Sequence, residues 1–93
     1  MLKRSQDAPE EFVVSERALA HTIGFRIQSR RRALQLTQAQ LRAKLGVENV
    51  YISRTQFSRL EQGESLPNAA EIIALATVLE VSFQWLLLGP EGN

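Results

Sequence analysis

Three times along this chain a small hydroxyl or amide residue is followed three places later by Gln or Glu: Thr37 to Gln40, Ser53 to Gln56 and Asn68 to Glu71. Each is a capping-box pattern, in which the first side chain accepts from a free N–H of the opening helical turn and the second reaches back to the cap. Each therefore opens a helix, and the next pattern arrives before more than a few turns can form. Gly46 and Gly63 are placed to close the first two of these helices. Their apolar residues recur at helical spacing: Leu41 and Leu45 in the first, Phe57 and Leu60 in the second. The third, with Pro67 before its cap, carries Ile72, Ile73, Leu75, Ala76 and Leu79 and is expected to be core throughout. Ser82 then caps a last short helix, Phe83 to Leu88, which Gly89 and Pro90 stop.

Upstream, Ser15 is placed to cap a helix running from Glu16 to Ala33, with Leu19, Ile23, Ile27 and Leu34 as its buried stripe and Gly24 as a weak point inside it. Met1 to Val14 is polar, holds Pro9 and lacks a clear period, so it reads as a mobile arm. The expected organisation is all-α with five helices: an arm over 1–14, a helical domain over 15–89 and a short tail over 90–93.

Charge is distributed unevenly along these helices. Arg26, Arg30, Arg31, Arg32, Arg42, Lys44, Arg54 and Arg59 are opposed between Arg26 and Arg59 only by Glu48, whereas the residues from Leu60 onward hold five glutamates and no Lys or Arg. The whole-chain net charge of +1 hides a strongly cationic middle third. Such a concentration is the electrostatic footprint of a protein that sits on phosphates. For the arginines at 30 to 32 there is also a purely structural account, because cations are favourable at the negative end of a helix dipole.

Other functions are poorly supplied. The chain has no cysteine, hence no disulfide framework or thiolate metal site. Its one histidine, His21, reads as a helix residue and its one aspartate, Asp7, lies in the arm, so no Ser/His/Asp arrangement is expected. No glycine-rich phosphate loop, metal-ligand spacing or internal repeat is present, and neither enzymatic activity nor a cofactor is expected. The start lacks the apolar stretch of a secretory signal, and the most apolar segment, Ile72 to Leu79, is far short of a membrane span. A cytoplasmic, nucleoid-associated protein is expected.

Two short capped helices joined by a turn containing Gly46 and flanked by packing helices make a helix-turn-helix. The particular residues go further. Ile23-Gly24-Phe25-Arg26-Ile27, Arg31, Leu36-Thr37-Gln38, Leu41, Leu45-Gly46-Val47, Ser58-Arg59-Leu60-Glu61-Gln62-Gly63, Pro67 and the ending Leu79 to Leu87 resemble, in order, the phage-repressor, Cro-like (xenobiotic-response-element type) helix-turn-helix family. The resemblance covers about Thr22 to Gly89 and implies a lambda-repressor-like domain that binds double-stranded DNA.

It also implies roles for matching residues. The helix beginning at Ser53 would lie in the major groove, with Arg54, Thr55 and Arg59 reading base edges and Gln56 and Ser58 assisting. The arginine fork matches guanine O6 and N7, and threonine can offer its methyl to thymine. Thr37, Gln38, Ser53, Gln62 and Asn68 would contact phosphates, the first two at a helix N-terminus where backbone amides favour anions. Arg31 and Glu61 would form an internal ion pair, with Arg31 also facing the DNA backbone. Dimerisation would use the last helix, where Phe83, Trp85, Leu86 and Leu88 cannot all face one small core.

This chain departs from the family pattern at Glu48-Asn49-Val50-Tyr51-Ile52, about five residues beyond the usual tight turn. Either the turn is longer, with Val50, Tyr51 and Ile52 padding the core, or the recognition helix starts near a capping Asn49 and brings Tyr51 or Ser53 towards DNA. The expected function is a homodimeric transcriptional regulator, most simply a repressor on a palindromic operator. With the chain ending at Asn93, its control is expected to come from concentration, a partner protein or proteolysis of the arm. The rival expectation is an antitoxin or regulatory subunit of the same fold, whose arm binds and inhibits a partner protein.

Overall fold

The computed structural model describes residues 10–90. It contains α1 (Glu10–Ala33), α2 (Gln38–Val47), α3 (Arg54–Glu61), α4 (Ala69–Leu79) and α5 (Phe83–Leu88), with no strand among the described residues. Residues 1–9 of the expected arm, and with them most of the expected site for a protein partner, lie outside the described residues.

The first helix starts earlier than expected. Ser15 is not its cap but lies inside it, five residues past Glu10, because nothing from Glu11 to Ala20 is a Gly or Pro that would interrupt a helix. The other four starts are as the local chemistry dictates. Thr37 and Asn68 form complete capping boxes with Gln40 and Glu71, and Ser53 and Ser82 accept from the N–H groups of Gln56 and Trp85. The box at Ser53 is half-formed: the Gln56 side chain donates instead to Ser65 Oγ, 3.3 Å away.

Helix ends differ more from expectation. Gly46 does not close α2; it is a helical residue, and the chain turns at Asn49, whose φ of 63° lets Val50 N–H reach the Leu45 carbonyl at 3.0 Å. Gln35 (φ 59°) and Glu80 (φ 60°) do the same for α1 and α4, and Gly63 (φ 77°) for α3 as expected. Non-glycine residues in this left-handed region cost about 1–2 kcal/mol each. They are held there because the paired turn hydrogen bonds satisfy carbonyls that the helix end leaves open.

The buried core is Ile23, Ile27, Leu41, Leu45, Ile52, Phe57, Leu60, Ala74, Leu75, Leu79 and Leu86. Every helix contributes, so none is stable alone: each amphipathic face is covered by the others. Leu19 and Ile73, expected in the core, are exposed, because one stripe on α1 and one on α4 already fill the space.

Gly24 is a contact point and not a weak one. A β-carbon there would clash with the Leu60 carbonyl and stand 2.8 Å from the Glu61 carbonyl and 3.0 Å from the Gly63 N, so α1 crosses directly over the backbone end of α3. Gly24→Ala is expected to push the two helices apart and cost about 1–3 kcal/mol. At Gly46 the same test meets only the Tyr51 ring, at 3.4 Å, so Gly46→Ala is expected to stabilise by up to about 1 kcal/mol through helix propensity. Urea unfolding checks the two separately: a midpoint for Gly24→Ala that does not fall, or one for Gly46→Ala that does, contradicts the corresponding assignment.

Candidate nucleic-acid interface

On α3, an eight-residue helix, Phe57, Leu60 and Glu61 face inward and Arg54, Thr55 and Arg59 are exposed. The outward face, continued by exposed Gln62 at the C-cap, is polar along its whole length. Its position relative to α2 is set by one buried cluster. The Arg31 guanidinium grips Glu61 through both oxygens, Nε to Oε2 at 2.6 Å and a terminal nitrogen to Oε1 at 2.9 Å, and its other terminal nitrogen donates to the Leu36 carbonyl at 2.8 Å. Gln38 completes the cluster, donating from Nε2 to Glu61 Oε1 at 3.0 Å while its Oε1 accepts from the Ser58 hydroxyl at 3.2 Å. The end of α1, the start of α2 and the far half of α3 are thereby joined by one hydrogen-bonded unit.

Glu61 is 1% and Arg31 10% exposed at the side chain, so this charge pair stands where an unpaired ion would be very costly. Its hydrogen bonds to Glu61 raise the Arg31 pKa against the opposing effect of burial, and the carboxylate charge adds to the rise. No buried side-chain nitrogen or oxygen among the described residues lacks a partner.

These contacts, with the Gln56–Ser65 bond, bear on three expected roles. Arg31 is withdrawn from the phosphate contacts, since it is buried and its fork is engaged within the chain. Ser58 and Gln56 are half-buried and bonded to Gln38 and Ser65, so each already has a partner within the chain, as Gln38 does. Arg54, Thr55 and Arg59 remain as an exposed set, with exposed Ser53 at the N-cap of the same helix. Thr37 is exposed at the N-terminus of α2, with its hydroxyl accepting from Gln40 N–H at 3.1 Å. Asn68, also exposed, uses its side-chain oxygen for the Glu71 N–H at 2.8 Å.

The cationic middle third is partly structural. Arg30 Nε donates to the Leu79 carbonyl at 2.8 Å, and Arg26 to the Leu86 carbonyl at 3.1 Å, so two side chains of α1 satisfy the open C-terminal ends of α4 and α5. Arg42 Nε donates to the Ile52 carbonyl at 2.8 Å and ties down the turn before α3. Arg32, Lys44, Arg54 and Arg59 are exposed. These tethers span up to 60 residues of sequence, and no local spacing announces them.

The lengthened segment is a turn and not an extension of α3. Asn49 ends α2, Ile52 is buried, Val50 is half-buried and Ser53 caps α3; Tyr51, expected as padding, is 80% exposed. On α5, Leu86 is fully buried and cannot be offered to a second chain, whereas Phe83 and Leu88 are 50% and 58% exposed and Trp85 packs half-buried against the core.

A match to the Helix-turn-helix family covers residues 27–86, from the last turns of α1 through α5. The chain belongs to the phage-repressor, Cro-like helix-turn-helix family. It is 39% identical over 72 residues to the HTH-type transcriptional regulator DicA of Escherichia coli K12, covering 77% of this chain and 50% of DicA. It is likewise 39% identical over 67 residues to the Repressor protein C2 of Salmonella phage P22, covering 72% of this chain and 29% of that repressor. The cryptic phage CTXphi transcriptional repressor RstR of Vibrio cholerae is 34% identical over 61 residues, covering 66% of this chain and 50% of RstR. The chain thus matches half the length of these relatives or less. No solved structure matches it. Among the described residues, no helix is long and apolar enough to cross a membrane.

Arg31→Met leaves Glu61 buried without its cation and is expected to cost about 3–5 kcal/mol, whereas Arg31→Met with Glu61→Leu should recover most of that loss. Denaturant unfolding of the single and double variants checks this; a double variant no more stable than the single would show that the pair's charges do not act on each other.

Proposed function

We propose that the chain is a sequence-specific DNA-binding transcriptional regulator, acting as a repressor, which binds a palindromic operator as a homodimer with α3 in the major groove. The observation that carries this reading is the outward face of α3. Arg54, Thr55 and Arg59 are exposed together on a helix whose inner face and far end are held by Phe57, Leu60 and the Arg31–Glu61 pair. A helix presented in this way offers side chains to base edges at little ordering cost. The names of the relatives, a transcriptional regulator and two repressors, favour the same assignment.

Phosphate contacts would come from Thr37 and the free amides opening α2, from Ser53, Gln62 and Asn68, and from Gln38 beside those amides. One module of this size buries little DNA surface, so two copies on adjacent half-sites supply the affinity. The exposed apolar residues of α5, Phe83 and Leu88, beside half-buried Trp85, are the proposed contact between copies. Phe83 and Thr77 line one surface groove, and exposed Ile73 lies one turn before Thr77 on α4.

Binding selection on fragmented genomic DNA, scored for an inverted repeat, tests the function; binding without any motif would refute sequence-specific regulation. On the selected site, Arg54→Ala and Arg59→Ala are each expected to cost about 1–3 kcal/mol and to relax base choice at one position, with a smaller loss on random DNA. Equal losses on both DNAs would sink the assignment of these two arginines to bases. Sedimentation tests the interface separately: Phe83→Ser with Leu88→Ser should shift the dimer to monomer without unfolding it, and an unchanged profile would move the interface elsewhere.

A further inference from the structure

The turn that this chain adds before α3 builds a groove of about 440 Å³ lined by Ala39, Arg42, Ala43, Tyr51, Ile52 and Ser53. Four constraints fix its shape. Asn49 reverses the chain in the left-handed region, Val50 N–H bonds the Leu45 carbonyl at 3.0 Å, Ile52 is 6% exposed in the core, and Arg42 Nε holds the Ile52 carbonyl at 2.8 Å. Between these anchors Tyr51 is left 80% exposed, its ring edge resting 3.4 Å from where a β-carbon of Gly46 would stand. An aromatic ring kept outward by so constrained a backbone has little freedom to lose on contact.

The groove's position and chemistry both select an occupant. It runs from Ala39, in the first turn of α2, to Ser53, the N-cap of α3, so its lining comes from the starts of the two helices assigned to DNA. Its α2 wall is built of Ala39 and Ala43, one turn apart and small, which leaves room for a ring the size of a sugar. Hydroxyls of Tyr51 and Ser53 and the Arg42 cation supply the polar part, and no carboxylate lines it. The turn's own acid, Glu48, lines a separate groove with Lys44, Val47, Thr77 and Val78. An apolar floor with hydroxyls, one cation and no acid fits a sugar with a phosphate attached.

We infer that this groove seats the sugar–phosphate backbone of the DNA strand flanking the base-read positions, with the Tyr51 hydroxyl donating to a phosphate; the inference rests on the DNA-binding reading above. It gives the added turn a positioning role that fixes how deep and at what angle α3 enters the major groove.

The test uses the full chain and a duplex of about 30 base pairs carrying the selected operator, long enough to reach past both half-sites. In a matched series, single phosphates outside the base-read positions are replaced by neutral methylphosphonates. Tyr51→Phe, which removes only the hydroxyl, and Ala43→Leu, which fills the groove from an exposed helical position, are each expected to weaken binding about tenfold, the size of one hydrogen bond to a charged group. One neutral phosphate should weaken the wild type by a similar factor and leave Tyr51→Phe unaffected, the signature of a direct pair. Both variants should keep the wild-type thermal midpoint. Wild-type binding with no loss in either variant, or losses that do not depend on any phosphate, overturns the inference and leaves the DNA-binding reading standing. A wild type that binds no duplex overturns both, and a variant that alters sedimentation instead of DNA affinity assigns the groove to a protein contact and overturns it too.

Discussion

Glu61 is the residue on which the architecture of the helix-turn-helix depends. A carboxylate at the end of α3 is buried to 1% exposure, so as an ion it must be matched by a cation with the right geometry. Arg31 provides the match with two parallel hydrogen bonds, and its third bond, to the Leu36 carbonyl, reaches the segment just before α2. Gln38 adds a third hydrogen bond to Glu61 and ties Ser58 in turn. Because both partners are directional, the pair specifies a rotation of α3 about its own axis as well as its position. Apolar packing of Phe57 and Leu60 alone would tolerate a range of such rotations. The outward set of Arg54, Thr55 and Arg59 is the other side of that same constraint.

A second set of constraints acts at helix ends. With four of the five helices short, unsatisfied terminal amides and carbonyls form a large share of the backbone, and their disposal decides whether the fold closes. Starts are satisfied locally, by Thr37, Ser53, Asn68 and Ser82. Ends are satisfied by left-handed turn residues and, for α4 and α5, by Arg30 and Arg26 reaching across from α1. The long first helix therefore acts as a scaffold twice: its apolar stripe covers the core, and its arginines close two other helices. Three adjacent arginines that look alike in sequence diverge to three environments, Arg30 on α4, Arg31 on α3 and Arg32 in solvent.

This division explains which parts of the fold were legible beforehand. Helix starts at Gln38, Arg54, Ala69 and Phe83 could be read because a cap acts over three residues, and the side chains able to do it are few. The start of α1 was misplaced by the same logic: Ser15 has capping chemistry, but a Ser in an unbroken helix does not stop it. Ends were read only at Gly63 and Gly89, where glycine marks them. At Gln35, Asn49 and Glu80 no glycine marks the end and the left-handed residue is held by turn hydrogen bonds that no local pattern announces, and at Gly46 a glycine is present where none is needed. In the candidate site the ion pair was legible through family resemblance, whereas the engagement of Ser58 and Gln56 was not. Both lie one helical turn from buried residues, at positions that face inward or outward depending on how far α3 is rotated, and that rotation is set by Arg31 from 30 residues away.

The same geometry changes what the cationic middle third means. Arg31 is neutralised by Glu61, and Arg26, Arg30 and Arg42 lie against carbonyls at helix and turn ends, so each sits at a place where it also offsets a partial negative charge. Within that middle third the exposed cations are distributed over α1, α2 and α3: Arg32, Lys44, Arg54 and Arg59. Each copy thus brings fewer free cations to phosphates from this third than the sequence count suggests, which lowers its binding to DNA of any sequence. On the proposed reading, discrimination and affinity must then come from the arrangement of the α3 face, the pairing of two copies and the contacts of the added turn, and not from bulk charge. A regulator built this way gains from low background on random DNA, and that makes the rigid placement of α3 by Glu61 the property that its function most requires.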